Sequence, residues 1–198
     1  MTIAAASPET VDAVVTVLAL LTIAAQAAIA LVVVTWLVGF VFRPARRVLG
    51  GIGFVLDGVE LWAAFAVASV ALGGSLFFSE LASFTPCRLC WFQRIFMYPL
   101  VPMLLAMAIR RDVRGALFYV LPLTAIGSLI SLYHLYVEAN PEVETAGCKV
   151  GGGSCALKWI DEFGYITIPM LALTAFALIS LLVIAAGRRR PTAPTEAP

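Results

Sequence analysis

Five runs of about 20 or more apolar residues decide what this chain can fold into. A bilayer core about 30 Å thick is crossed by roughly 20 residues of helix. In lipid an unpaired backbone N–H or C=O costs several kcal/mol, so such runs become helices with every bond internal. The runs are Ala13 to Phe42, Val59 to Phe78, Trp91 to Ile109, Ala116 to Val137 and Tyr165 to Ala186. The first is longer than a bilayer needs and is expected to tilt or protrude. Composition agrees, with 62% of the 198 residues hydrophobic and 13% charged, against about 45–50% and 25% in soluble domains. A water-soluble enzyme, a nucleic-acid-binding module and a disordered protein are therefore excluded. The fold class is all-α, a polytopic membrane helical bundle. The Pro-rich tail after Arg190 is expected to be disordered.

Orientation follows from the basic residues. Arg43, Arg46 and Arg47 follow the first run; Arg110, Arg111 and Arg114 join the third to the fourth; Arg188, Arg189 and Arg190 follow the fifth. These are nine of the 13 basic residues, and basic loops stay cytoplasmic. Arg88, Arg94, Lys149 and Lys158 fall opposite. The segment before the first run has neither Lys nor Arg, which places the N-terminus outside and argues against a cleaved signal peptide with its basic start. The expected protein crosses the cell (inner or plasma) membrane five times, N-terminus exoplasmic and C-terminus cytoplasmic.

That topology puts all four cysteines on the exoplasmic side, where disulfides persist. Cys87 and Cys90 lie between spans two and three, Cys148 and Cys155 between spans four and five. Pro86 fits the start of a helix and cannot continue one from upstream, so the first pair begins span three. Cysteines three apart share a helix face, and the helix N-terminus with nearby arginine favours a thiolate, the nucleophile of disulfide exchange. Arg94 is one turn beyond Cys90 on the same face. An arginine within a span is a functional candidate, here for stabilising a thiolate or the anion of a reduced carbonyl ligand; otherwise it snorkels to the interface.

The second pair encloses Gly151-Gly152-Gly153-Ser154, a flexible composition that suits a moving loop, or an ordinary connector. Leu157, Ile160 and Phe163 recur at helical spacing and predict a short interfacial helix after it. His134, the lone histidine, sits near the outer end of span four, where it can move protons or simply hydrogen-bond. Trp91, Tyr98, Tyr133 and Tyr136 read as interfacial or packing aromatics. Glu60, Glu80 and Glu138 lie at span ends and call for no functional explanation. Two other readings of the cysteines are a zinc site built from four thiols and a pair of inert structural disulfides; neither explains Arg94.

The run Pro86-Cys87-Arg88-Leu89-Cys90-Trp91-Phe92-Gln93-Arg94-Ile95-Phe96-Met97-Tyr98-Pro99, followed by a second exoplasmic pair, resembles the DsbB/BdbC family of membrane thiol:quinone oxidoreductases. Phe163-Gly164-Tyr165-Ile166-Thr167-Ile168-Pro169 and Tyr133-His134 resemble its BdbC-like branch, and the likeness covers Val59 to Ala186. The resemblance implies a four-helix bundle that reoxidises a DsbA-like thioredoxin-fold protein and passes electrons to a membrane quinone, ubiquinone or menaquinone. It implies that Cys148 forms the mixed disulfide with that partner and that Cys155 exchanges with Cys87. Cys90 would lie nearest the quinone, in an adduct or charge-transfer contact. Arg94 would polarise a quinone carbonyl, with Gln93 and His134 as further cofactor-binding candidates. A vitamin K epoxide reductase-like enzyme is the redox alternative, but its cysteine pairs come in the reverse order. The family has four spans and a cytoplasmic N-terminus, so the first span here is an addition. The expected division is 1–50 for that helix and a cytoplasmic linker, 51–187 for the four-helix membrane domain, and 188–198 for the tail.

Overall fold

The computed structural model describes residues 6–41, 58–145, 148 and 153–188. Arg43, Arg46, Arg47, Lys149, Arg189 and Arg190, the first two glycines of the loop and the Pro-rich tail fall outside them. Five helices long and apolar enough to cross a membrane account for most of the described chain. They are α1 (Pro8–Val41), α2 (Glu60–Leu76), a broken span made of α3 (Arg88–Met97) and α4 (Leu100–Arg110), α5 (Leu121–Ala139) and α6 (Ile168–Gly187).

Local chemistry sets their limits. α1 starts ahead of its apolar run because Ser7-Pro8 is a start signal: Ser7 Oγ accepts the Thr10 amide at 3.3 Å, and the N–H that proline lacks is one the first turn leaves unpaired anyway. Pro99 divides the third span, since proline has no N–H to donate and crowds the carbonyl one turn back. Pro122 has the same effect on the fourth span, which enters α5 through a π turn, Ala116–Val120. A second π turn, Phe77–Leu81, ends α2 at the cysteine end of the bundle.

The ends differ in charge as the sequence requires. Arg110, Arg111 and Arg114 lie with Arg188 at one end, where a Cβ on Gly187 would sit 2.6 Å from Leu117 Cδ1. The start of α1 lies at the other, its Ala6 N–H donating to the Leu81 carbonyl at 2.9 Å, together with the cysteines. Between the ends, α2, α4, α5 and α6 enclose a core that includes Leu61, Ala64, Leu100, Leu104, Phe176 and Ile179. α1 packs its first half against α6 and α2, while Leu31, Val34, Trp36 and Leu37 of its second half are exposed.

The interfacial helix expected after the second cysteine pair is absent. Residues 157–167 form an irregular strap closed by the Glu162–Ile166 bridge, whose two backbone hydrogen bonds measure 3.1 and 2.9 Å. Phe163 and Gly164 turn the chain at φ 53° and 78°, a left-handed pair that no helix accommodates. Ile160 is buried while Leu157 and Phe163 are exposed, so the three do not share a face.

Helix approach depends on small residues, as is usual where lipid removes the hydrophobic drive between spans. A Cβ on Gly127 would lie 2.3 Å from Phe176 Cζ, and Phe176 is fully buried. Gly127→Ala should therefore cost about 1–3 kcal/mol, the usual penalty for overpacking, and lower the melting temperature in detergent. Adding Phe176→Leu should recover most of that loss. A Gly127→Ala protein melting with the wild type would mean that this contact does not limit packing.

Candidate dithiol site

Cys87 is the N-cap of α3, with extended backbone (φ −72°, ψ 172°) and a sulfur that accepts the Cys90 amide at 3.3 Å. The Thr85-Pro86 segment delivers the chain to that cap, and helical spacing then brings the Cys90 sulfur round to 3.1 Å from Cys87 Sγ. All four cysteines are free thiols. Cys87 donates its proton to the Cys90 sulfur. That hydrogen bond, and then burial, push the Cys87 thiol up to about 12, with His134 pulling the other way.

The second pair does not stand apart. The Cys155 thiol interacts with both Cys148 and Cys87, so the four sulfurs run in sequence Cys148, Cys155, Cys87, Cys90. The loop lies directly on the start of α3, where a Cβ on Gly153 would come within 3.1 Å of the Thr85 carbonyl. That glycine is needed for close approach as well as freedom. Glu144 fixes the loop from the other side, accepting the Cys155 amide at 2.6 Å and the Ser154 hydroxyl at 2.8 Å. Burial and then the contact with Cys155 push Cys148 up to about 12, and burial raises Cys155.

His134 on α5 sits behind both pairs. Its Nε2 lies 3.1 Å from the Cys155 carbonyl and 3.6 Å from Cys87 Sγ. A carbonyl only accepts, so Nε2 carries the proton and Nδ1 receives the Gln93 amide at 3.4 Å. Glu138, one turn on, accepts the Thr167 hydroxyl at 2.8 Å and lines a small cleft with Cys87, Cys90 and His134.

On the far side of Cys90 lies an almost wholly apolar cavity of about 430 Å³. Cys90, Gln93 and Arg94 supply its polar end, while α1, α2 and α6 supply most of the rest. His134, which sequence reasoning placed with them, is not on its wall. Arg94 does not reach out to the interface: its Nη2 donates to the Ser75 carbonyl at 3.0 Å, and its guanidinium lies 5.2 Å from the Trp91 ring. Phe78, Phe84 and Trp159 stack at 5.7 and 5.0 Å between centroids and line the cavity.

Two groups of three donors, Cys87–Cys90–His134 and Glu144–Cys148–Cys155, each fall within 4.8 Å. Tetrahedral zinc, with Zn–S near 2.3 Å, holds two sulfurs about 3.8 Å apart. The Cys87–Cys90 separation of 3.1 Å is shorter, and the His134 proton faces a carbonyl. The first group therefore fits a dithiol better than a metal. Glu144 and the cavity wall from α1 escaped the sequence reading, since nothing local distinguishes Glu144 from any loop acid or α1 from an anchor.

The family model described as disulfide bond formation protein DsbB matches residues 59–187. Disulfide bond formation protein C of Bacillus subtilis (strain 168) is 45% identical over 125 residues, covering 63% of this chain and 90% of that protein. Probable disulfide formation protein C 1 of Bacillus anthracis is 43% identical over 121 residues, 61% of this chain and 86% of that one. The probable disulfide formation protein C of Halalkalibacterium halodurans is 46% identical over 120 residues, 59% and 87% of the two chains. No solved structure matches the chain. Matches of this extent, across the segment that carries both cysteine pairs, mean that the chain belongs to the DsbB family and is a multi-pass membrane oxidoreductase of disulfide formation.

Proposed function

We propose that the chain takes electrons from a DsbA-like thioredoxin-fold dithiol protein outside the cytoplasm and delivers them to a lipid-soluble quinone. The observation that carries this reading is the position of the first dithiol: Cys87 abuts the second pair, and Cys90 opens onto the cavity. The Cys148–Cys155 disulfide would accept two electrons from the partner dithiol, which leaves as a disulfide. Exchange through Cys155 and Cys87 then reduces the Cys87–Cys90 disulfide and restores the second. The cavity suits a quinone, with an arginine donor at a polar end and aliphatic walls for a prenyl tail. Cys90, Gln93 and Arg94 would hold the ring end. A bound quinone supplies the sink, taking two electrons and two protons to become the quinol. Arg94 is placed to donate to a carbonyl oxygen as negative charge develops there. His134, through its proton on Nε2, favours negative charge on the Cys87 sulfur during exchange. The cysteine end would face the exoplasm, because the described arginines Arg110, Arg111, Arg114 and Arg188 lie at the other end.

Reduced protein mixed with a short-tailed quinone under anaerobic conditions should lose one pair of thiols for each quinone consumed. Cys90→Ser should bring that to background while the protein stays folded; reduction at the wild-type rate would remove Cys90 from the role. Arg94→Met should raise KM for quinone about ten- to hundredfold, the weight of a hydrogen bond to a charged group, and leave partner oxidation by the second pair unchanged. Equal losses in both half-reactions would count against an Arg94–quinone contact.

The raised thiols give a pH signature. A thiol ionising near 12 is neutral at pH 7, and its thiolate fraction grows about tenfold per pH unit until its pKa is reached. In a Cys87→Ser, Cys90→Ser protein, Cys148 alkylation by iodoacetamide should keep rising through pH 10, past the ordinary thiol value of 9.0. A plateau between pH 8 and 9 would mean that Cys148 is an ordinary exposed thiol.

A further inference from the structure

The added helix α1 is part of the cavity, not a neighbour of it. Leu18, Leu21, Thr22 and Ala25 all line it, and their spacing is one helical face. The family match begins only at residue 59. The matched parts of the B. subtilis and B. anthracis proteins take up 90% and 86% of those chains, which leaves too little to supply a helix of 34 residues.

Three contacts hold this face in place. The Ala6 N–H donates to the Leu81 carbonyl at 2.9 Å. The Leu18 Cδ1 atom would be 3.1 Å from a Cβ on Gly74, so α1 approaches α2 where α2 has no side chain. Gln26 is the only carboxamide in a helix without charge beyond Asp12; it donates to Thr174 Oγ1 at 3.1 Å and accepts the Tyr165 hydroxyl at 3.0 Å. A polar side chain in lipid needs partners, so this clasp fixes the rotation of α1 and turns Thr22 and Ala25 inward. Thr174 lies six residues along α6 from Ile168, about 9 Å at 1.5 Å per residue. The clasp therefore sits below the cysteine end, level with the apolar part of the cavity.

We propose that α1 is a wall of the quinone site, in which Thr22 and Ala25 contact the prenyl tail and select among tails. The proposal rests on the quinone reading above and adds a function for a helix that those two relatives are too short to supply. Ala25→Trp would fill the tail region, and one group too many in an apolar pocket is felt about tenfold or more. KM for a decyl-tailed quinone should rise about tenfold, KM for a tail-less quinone should stay near wild type, and dithiol exchange with the second pair should be unaffected. Leu20→Trp, on the exposed face of the same helix, should match wild type with both quinones. If Ala25→Trp leaves both KM values unchanged, α1 is no wall. A wild-type protein that reduces neither quinone would instead overturn the quinone reading and this proposal with it. Labelling the unmutated protein with a tailed azidoquinone gives a second measurement free of folding effects. Label on residues 18–25 supports the wall; label confined to α2 and α6 overturns it.

Discussion

The Cys87 sulfur accepts the Cys90 amide at 3.3 Å and thereby caps a helix that starts at the membrane edge. A helix beginning there leaves its first amides without internal partners, and lipid cannot supply any. Using a thiol for the cap satisfies one of those amides and fixes the sulfur at the same time. The Cys90 sulfur then follows at 3.1 Å, and Arg94 one turn later reaches the Ser75 carbonyl across the cavity. The second pair lies against the cap because Gly153 lets the loop pass close to Thr85 and Glu144 holds the Cys155 amide. If that cap were lost, the order of the sulfurs and the polar end of the cavity would be lost with it.

What could be read from the sequence was what one segment determines by itself. Apolar length gave the spans, arginine placement gave the two ends, and Pro86 ahead of the Cys-x-x-Cys run placed the first pair on a helix start. What could not be read depends on contacts between segments. His134 is 47 positions from Cys87 and 41 from Gln93 in sequence, and its tautomer is set by a carbonyl in yet another loop. The apolar triplet Leu157, Ile160 and Phe163 has helical spacing, but the stacking of Trp159 on Phe84 and the left-handed pair at Phe163 and Gly164 override it. The glycine run suits a moving loop; with Gly153 against Thr85, the second pair is already packed beside the first.

α1 illustrates how a span can look like an anchor and still belong to a site. Its sequence is apolar nearly all round, which carries no rotational information. Orientation comes from one amide: Gln26 has to meet Tyr165 and Thr174, and that choice decides which residues face inward. Beyond Gln26 the helix turns Leu31, Val34 and Leu37 outward.

The burial of the thiols is the remaining puzzle, since exchange needs thiolates and burial opposes them. The resolution lies in the cavity. An apolar space disfavours any net charge placed in it, and Arg94 can offset one negative charge but not two. In the proposed reaction a dithiol gives up two electrons and two protons together, so the overall transfer is neutral. The hydrogen bond to Cys90 and burial push Cys87 up to about 12, so the pair does not stand as two thiolates beside the cavity. A pair of standing thiolates would place two charges beside an apolar wall in the resting state. His134, whose Nε2 lies 3.6 Å from Cys87 Sγ while its proton serves the Cys155 carbonyl, is the polar side chain that faces this sulfur from α5.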